Sequence, residues 1–295
     1  MHRLELKKAL VVATGKNSAW ISVDGETDTR IAQLRRMTGK RFMPVPGDVV
    51  HVRILEDDRA VVDRVEPRTF ALERRTVEGR SKTMAANIDT LITVTALANP
   101  APRTITLDQL LAFAELEDIA AAVVLTKPDL AAVEEQQCLV ATYAALDYPT
   151  IVTNPKLGEN VEALRAFLHG RHALLCGISG VGKSTIFRAL GGESSIGDLS
   201  RHGIGRQTTT TARLYRRTDG FLIDSPGVNE FGLGAIAPRD LAEAFREMRE
   251  PALHCRFGDC THLHEPGCAV REAVESGSIA QSRYASFAKI AEGTN

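Results

Sequence analysis

The spacing of hydrophobic and polar positions changes along the chain and divides it into three regions. In residues 1–75, short runs rich in Val and Ile are separated by turn signals such as Asp24-Gly25 and Pro46-Gly47-Asp48. Short strands between such turns are typical of a small β-barrel. We therefore predict an OB-type barrel of about five strands, whose curved face is a common RNA-binding surface. Four of its strands are predicted at residues 9–13, 19–23, 49–54 and 60–65.

From residue 88 onward, strand-like runs alternate with helical ones. The predicted strands are 88–97, 119–125, 150–152, 173–176 and 221–223, and the predicted helices are 107–116, 133–146, 161–168 and 185–190. Such alternation builds a parallel sheet covered by helices on both faces. We therefore predict an α/β domain over residues 76–235, followed by a helical domain over residues 236–295.

Length and composition agree with several domains. A chain of 295 residues with 44% hydrophobic content can bury two or three cores. No apolar run approaches the ~20 residues of a membrane span, and no signal peptide precedes the first strand. We expect a cytoplasmic monomer without a membrane partner.

Charge is unevenly distributed along the chain. Residues 1–82 carry 17 Lys and Arg against 12 Asp and Glu, whereas residues 83–170 carry 4 against 11. A basic N-terminal region followed by an acidic segment suggests that the barrel faces a polyanion. The competing interpretation is a solvated charged surface. Two basic clusters lie in a probable loop and in the following linker: Arg35, Arg36, Lys40 and Arg41, then Arg68, Arg74, Arg75, Arg80 and Lys82.

A phosphate-binding motif with the spacing G-x-x-x-x-G-K-[ST] occupies residues 177–184. The preceding apolar run and the following helical stretch supply the strand, loop and helix that the motif requires, and they argue against a chance match. Backbone N–H groups would surround a β-phosphate, Lys183 would add a cation near the β- and γ-oxygens, and Ser184 would offer its hydroxyl to Mg²⁺. The residues expected to bind the nucleotide here are Gly177, Ser179, Gly180, Val181, Gly182, Lys183, Ser184 and Thr185.

A second phosphate-site motif, Asp224-Ser225-Pro226-Gly227, follows about forty residues later. Asp224 would hold Mg²⁺ through water, and the N–H of Gly227 would meet the γ-phosphate. Between the two motifs, residues 205–211 are polar and lack hydrophobic periodicity, which suits a switch loop that offers one threonine to Mg²⁺. Lys183, Thr208 and Thr209 are the residues expected here to serve hydrolysis.

A base-recognition motif, Thr126-Lys127-Pro128-Asp129, precedes the phosphate loop by about fifty residues, whereas in an ordinary GTPase it follows the loop. The Asp129 carboxylate can accept from N1–H and the exocyclic amine of guanine, which adenine cannot supply. Lys127 would lay its aliphatic stem along the base, and Thr126 replaces the more common Asn. The reversed order predicts a circularly permuted GTPase. A second base-contacting loop is expected, less specifically, at residues 153–154.

A cluster of cysteine and histidine lies near the C-terminus. Cys255, Cys260, His262 and Cys268 fall within fourteen residues. Three thiolates and an imidazole make a closed tetrahedral Zn²⁺ site, which is structural rather than catalytic. His254 and His264 are alternative ligands, and disulfides are the competing interpretation, less suited to a reducing cytosol.

With these motifs placed, the chain resembles the ribosome small-subunit-dependent GTPase A family over nearly its whole length. The resemblance rests on the Pro-Gly-Asp turn, residues 84–89, the permuted motif order, residues 223–232 and residues 265–269. It implies a GTPase that uses GTP/GDP and Mg²⁺, binds the small ribosomal subunit and its rRNA near the decoding region, and acts late in subunit maturation. It also implies activation by the subunit and release on hydrolysis.

One position departs from the family pattern. The family usually has His immediately before the three threonines of the switch, and this chain has Gln207. The resemblance assigns the positioning of the attacking water to this site, and Gln can orient water in other GTPases. Two further functions stay open at this point: an RNA-binding adaptor that uses GTP as a structural ligand, and a GTPase acting on another RNA or protein partner.

Overall fold

A computed structural model describes residues 6–15, 17–34, 43–55, 59–75, 81–192, 212–224 and 236–293. The chain divides into two compact units, each built from three segments. The first comprises residues 1–90, 161–175 and 183–226, and the second comprises residues 91–160, 176–182 and 227–295. The domain boundaries at residues 75 and 235 stay a prediction.

The described elements follow one another from a β-rich to a helical region. The strands are β1 Leu6–Thr14, β2 Ser18–Val23, β3 Thr29–Leu34, β4 Val49–Ile54, β5 Ala60–Val65, β6 Ala71–Arg75, β7 Ser81–Ala86, β8 Thr90–Ala96, β9 Ala120–Thr126, β10 Thr150–Thr153, β11 His172–Cys176, β12 Arg213–Arg217 and β13 Gly220–Asp224. The helices are α1 Thr104–Leu116, α2 Val133–Ala144, α3 Val161–Phe167, α4 Lys183–Phe187, α5 Pro238–Glu243, α6 Arg246–Ala252, α7 Ala269–Glu275 and α8 Gln281–Ala291. A π-helical turn at Arg188–Gly192 follows α4.

The first five strands close into a barrel in the order β1-β2-β3-β5-β4. The pair β3–β5 is parallel, and the other pairs are antiparallel. This arrangement confirms the predicted OB-type barrel. Strand β3 was not predicted from the sequence, because it carries no apolar run and Ala32 alone among its six residues is fully buried.

A two-stranded antiparallel hairpin of β6 and β7 follows the barrel, in a segment that the sequence analysis treated as a linker. The end of β7 packs on the Pro46-Gly47-Asp48 turn. Gly47 has a φ of +94°, and a side chain there would collide with the carbonyl oxygen of Ala86. Asp48 is fully buried and accepts two hydrogen bonds from Arg68, at 2.7 and 2.8 Å. The turn is therefore part of the packing between barrel and hairpin.

The remaining strands of the first unit lie in the order β11-β13-β12. Strand β13 runs parallel to β11 and antiparallel to β12, with which it forms a hairpin. The sequence analysis did not place β12, whose residues are largely Arg.

In the second unit, β8, β9 and β10 lie in the order β10-β9-β8, with β9 and β10 parallel. Helix α1 connects β8 to β9, and α2 connects β9 to β10. Every residue of β8 is buried, as expected for a strand covered on both faces. The two units together contain the predicted P-loop GTPase-like α/β region.

The C-terminal helices α5 to α8 pack around an apolar core that includes Phe245, Met248 and Phe287. One face of α1, carrying Asp108, Ala112 and Glu115, meets this helical region. Ala112 belongs to its core, and the two carboxylates are bound by arginines from it. Arg283 pairs with Asp108 at 2.5 Å and with Glu247 at 2.6 Å, and Arg246 and Arg249 pair with Glu115.

No helix among the described residues is long and apolar enough to span a membrane.

Candidate functional site

The phosphate loop runs from the end of β11 to the start of α4, as the motif predicts. Gly177 has a φ of +148°, and a Cβ there would collide with the carbonyl oxygen of Val94 in β8. Gly182 has a φ of +99°, and a Cβ there would lie 3.7 Å from the hydroxyl oxygen of Thr126. Gly177 is required because a side chain there would collide with the neighbouring backbone, whereas Gly182 is favoured by its left-handed backbone conformation. Lys183 is buried where the loop enters α4.

The base-recognition segment at the end of β9 is bonded directly to the phosphate loop. The buried hydroxyl of Thr126 donates to the carbonyl oxygen of Val181 at 2.6 Å. The ammonium of Lys127 donates to the carbonyl oxygen of Gly180 at 2.8 Å and also to that of Asn99. Two motifs that are reversed along the chain are therefore adjacent in the second unit. Thr126 was predicted from the sequence to contact the base, and its hydrogen bond to the phosphate loop was not predicted.

Asp129 follows at the mouth of the same strand. It is exposed, and its Oδ1 accepts a hydrogen bond from the side-chain amide of Asn154 at 2.9 Å. Asn154 begins a tight loop after β10, which Thr153 closes by donating from its hydroxyl to the carbonyl oxygen of Glu159 at 2.6 Å. The structure thus brings the expected second base-contacting loop beside Asp129. The parallel pairing of β9 and β10 explains this, because the carboxyl ends of both strands reach the same edge.

Within the first unit, Ser184 and Asp224 lie together, although forty residues separate them. The Ser184 hydroxyl donates to Oδ2 of Asp224 at 2.9 Å, and the buried Oδ1 of Asp224 has no hydrogen-bond partner among the described residues. Burial raises the pKa of the Asp224 carboxyl above its ordinary value, partly offset by Ser184, Lys183 and Arg213. A buried carboxylate oxygen without a partner beside a hydroxyl fits a hard divalent cation such as Mg²⁺.

Four predicted site residues lie outside the described part of the chain. They are Gln207, Thr208, Thr209 and Gly227. Their predicted roles stay predictions. The basic residues Arg35, Arg36, Lys40, Arg41 and Arg80 also lie outside it.

A possible metal centre lies between α6 and α7. One ligand atom from each of Cys255, Cys260, His262 and Cys268 falls within 4.8 Å of the others. Nδ1 of His262 is 3.4 Å from Sγ of Cys255 and 3.6 Å from Sγ of Cys268, and those two sulfurs are 3.9 Å apart. A tetrahedral zinc with ordinary bond lengths requires about 3.6 Å between N and S and about 3.8 Å between two sulfurs. The four residues therefore fit zinc.

Other observations favour a metal over a disulfide and His262 over His254. A sulfur separation of 3.9 Å is far longer than a disulfide bond of about 2.05 Å. Burial raises the pKa of the Cys260 thiol to about 12, and a bound cation would hold this residue as a thiolate. His254 instead pairs with Glu250 at 3.1 Å. The cluster is braced from α8, where the Tyr284 hydroxyl donates to the carbonyl oxygen of His262 at 2.8 Å.

The fold and these sites define a P-loop GTPase with a circularly permuted order of motifs. A sequence profile of the RsgA GTPase family matches residues 65–234. Small ribosomal subunit biogenesis GTPase RsgA of Chromohalobacter salexigens is 40% identical over 84% of this chain and 75% of that protein. The protein of the same name from Pseudomonas aeruginosa is 38% identical over 94% of this chain and 84% of that protein.

Solved structures agree with this assignment. YjeQ from Thermotoga maritima superposes with a TM-score of 0.77 at 28% identity, covering 98% of this chain and 99% of that one. YloQ, a circularly permuted GTPase, superposes with a TM-score of 0.72 over 100% of this chain and 97% of that one, and at 22% identity supports the fold alone. The chain belongs to the RsgA GTPase family. It is a GTP-hydrolysing enzyme that binds guanine nucleotides.

Proposed function

We propose that this GTPase binds the small ribosomal subunit late in its maturation, hydrolyses GTP in a subunit-stimulated cycle and leaves when GDP is formed. Family membership and the names of its relatives support this proposal, because both relatives described above are small ribosomal subunit biogenesis GTPases. The rival adaptor function is not favoured, since the family hydrolyses GTP. A protein that acts on a ribosomal subunit is expected in the cytoplasm, and we expect this one to be a monomer.

The observation that carries the proposed nucleotide chemistry is the bonding between the base-recognition segment and the phosphate loop. Through Thr126 and Lys127, the end of β9 holds the carbonyl groups of Val181 and Gly180. In the proposed complex, Asp129 accepts from guanine, and Asn154 keeps that carboxylate in place. A shift of either loop would then change base recognition and phosphate binding together.

For hydrolysis, we assign Lys183 to the β- and γ-phosphate oxygens, and Ser184 and Asp224 to Mg²⁺. When bound, Mg²⁺ neutralises charge on the transferred phosphoryl group. Asp224 has one oxygen held by Ser184 and a second that the described residues leave without a hydrogen bond. Gln207 would orient the attacking water, and Thr208 or Thr209 would complete the metal coordination.

For the second metal, we propose that Cys255, Cys260, His262 and Cys268 hold one structural Zn²⁺. A closed set of four ligands leaves no position for substrate, so the metal would staple the loop between α6 and α7. Tyr284 and the core residue Phe287 pack on this loop from α8. The metal would thereby give the small helical region a rigid shape.

For subunit binding, we propose that the barrel contacts rRNA. Residues 1–82, which contain the barrel and the basic segment after it, carry an excess of five positive charges, which suits a phosphate-rich partner.

Cosedimentation with separated ribosomal subunits tests the proposed function. Protein loaded with a non-hydrolysable GTP analogue should pellet with the small subunit and not with the large one, and GDP should reduce the bound fraction. The variant Asp129→Asn, which should keep its fold and lose guanine selectivity, serves as a control with the same nucleotides. Equal pelleting with both subunits, or none with either, would contradict the proposal.

A further inference from the structure

A crevice in the first unit lies outside the nucleotide site. It has a volume of about 240 Å³ and lies between strand β1 of the barrel and the turn of the β12–β13 hairpin. Its charged and aromatic lining consists of Lys8, Asp24, His172, Arg216, Arg217 and Phe221. Residues Arg217 and Gly220 pair at the turn, whereas Arg213 and Asp224 pair at the opposite end of the hairpin. Four residues of strand, or about 13 Å, therefore separate the crevice from Asp224.

One wall of the crevice is a ready stacking surface. The rings of His172 and Phe221 are parallel within 4°, with centroids 4.3 Å apart. Phe221 is 3% exposed, whereas the His172 side chain is 45% exposed. Phe221 thus supports the imidazole from the protein side and leaves it open to a further planar ring. Aromatic surfaces of this kind stack nucleobases without requiring a particular base.

The charged lining suits a phosphate next to that ring. Lys8, Arg216 and Arg217 contribute three positive charges, against one negative charge from Asp24. Arg216 is fixed to the barrel by Asp24 at 2.6 Å and by Ser22 at 3.2 Å. Among the described residues, Lys8 has a half-exposed pairing with Glu66 at 3.4 Å, which is weak enough for a phosphate to replace. Arg217 pairs with Asp219 at 3.4 Å, and its buried Nη1 has no hydrogen-bond partner among the described residues, so Lys8 is the cation most available to a phosphate.

We propose that this crevice binds one unstacked nucleotide of RNA, with the base on His172 and the phosphate near Lys8. The volume, below the roughly 300 Å³ of pockets for larger ligands, admits a single nucleotide. The crevice is formed by β1 rather than by the β2–β3 face that OB folds ordinarily use. An RNA held there touches the barrel and the hairpin that carries Asp224 at its far end. The inference rests on the proposed function for the source of the RNA, the small ribosomal subunit.

The test is a titration of a short unstructured RNA with full-length protein saturated with GDP, which keeps the nucleotide site filled. His172→Ala should weaken RNA binding about tenfold, the loss of one stacked base. Lys8→Ala should lower the slope of log K against log salt concentration by about 0.7, the loss of one phosphate contact. GDP affinity should stay unchanged in both variants.

The chain provides matched controls for both substitutions. Lys7 precedes Lys8 on β1, pairs with Glu26 and is not part of the crevice lining. His169 pairs with Asp219 and is also outside the lining. Lys7→Ala and His169→Ala should bind RNA like the wild type. RNA binding that is unchanged in His172→Ala, or that falls equally in the controls, would overturn the proposal.

Two further experiments are needed. The first distinguishes RNA from a free nucleotide as the ligand of the crevice, and the second distinguishes failure of the crevice proposal from failure of the proposed function. Uridine monophosphate should compete only weakly with the RNA, and binding of the free nucleotide with no competition by RNA would overturn the assignment to RNA. If wild-type protein cosediments with small subunits and His172→Ala does so equally well, the crevice inference alone fails. If the wild-type protein does not cosediment with small subunits, the proposed function fails. The RNA titration then still shows whether the crevice binds RNA.

Discussion

The bond between Thr126 and the phosphate loop gives the sharpest test of how the nucleotide site is held together. In the structure, the Thr126 hydroxyl lies 2.6 Å from the buried carbonyl oxygen of Val181. Thr126→Val removes this hydroxyl at nearly constant side-chain volume and leaves the carbonyl oxygen without its donor. Leaving a buried acceptor unsatisfied costs about 1–3 kcal/mol. If about half of this cost, roughly 0.5–1.5 kcal/mol, opposes closure of the loop on a nucleotide, GDP affinity should fall roughly twofold to tenfold.

A matched variant separates this effect from a general loss of stability. The buried hydroxyl of Thr93 donates to the carbonyl oxygen of Ala122 at 2.9 Å, so this bond joins β8 to β9 and its acceptor is not part of the phosphate loop. Thr93→Val should lower the free energy of unfolding and leave GDP affinity unchanged. Equilibrium titration with a fluorescent GDP analogue and urea unfolding measure the two quantities.

The base dependence of the effect completes the test. Because Thr126 acts on the loop, Thr126→Val should weaken GDP and IDP by the same factor, although IDP lacks the exocyclic amine. A loss restricted to GDP would place the Thr126 side chain at the base. A loss of affinity that is equal in Thr93→Val would refute the reasoning as well.

Three further predictions concern the base, the metal and the packing of α1. Asp129→Asn should move preference from GTP toward XTP in competition assays, because an amide can donate to the 2-oxo group of xanthine; unchanged preference would contradict the base assignment. Cys260→Ser should abolish the roughly one zinc per chain found by elemental analysis while GDP still binds; retained stoichiometric metal would contradict the ligand set. Burial tends to raise the pKa of Glu115, but Arg246 and Arg249 hold it below 4.5. The ionised Glu115 carboxylate therefore contributes its full stabilisation above pH 4.5, and this stabilisation is lost as the pH falls through the lower pKa of the folded state. Between pH 6 and about pH 3, the free energy of unfolding should consequently fall more in the wild type than in Glu115→Gln. Equal losses would contradict this pairing.

The sequence predicted the parts of the structure that rest on strong local patterns. The α/β alternation, the barrel and the Cys/His cluster all follow from apolar runs, turn residues or ligand spacing. The structure confirms the barrel and brings the four predicted ligands together, while their binding of zinc stays a prediction. Strand β3 was missed because its inward side offers only Ala32 as a fully buried residue. The β6–β7 hairpin was missed because its many charged residues suggested a linker.

Within the site, long-range partners were the part that local pattern could not supply. The motif Thr126-Lys127-Pro128-Asp129 predicted a contact with the base, but the bond from Thr126 to Val181 joins residues 55 positions apart. The same holds for the packing of α1, where Asp108 meets Arg283 across 175 positions. Asp108 occupies a position on α1 that the helical pattern assigns to the core. A buried carboxylate needs a partner of opposite charge, so this position indicated that a basic residue would pair with it.

GTP turnover with and without purified small ribosomal subunits tests the central claim most directly. The account predicts slow hydrolysis by the protein alone and a marked acceleration by small subunits, absent with large subunits and absent in Lys183→Ala. Rates that do not respond to small subunits, or a Lys183→Ala variant that hydrolyses GTP as fast as the wild type, would contradict it.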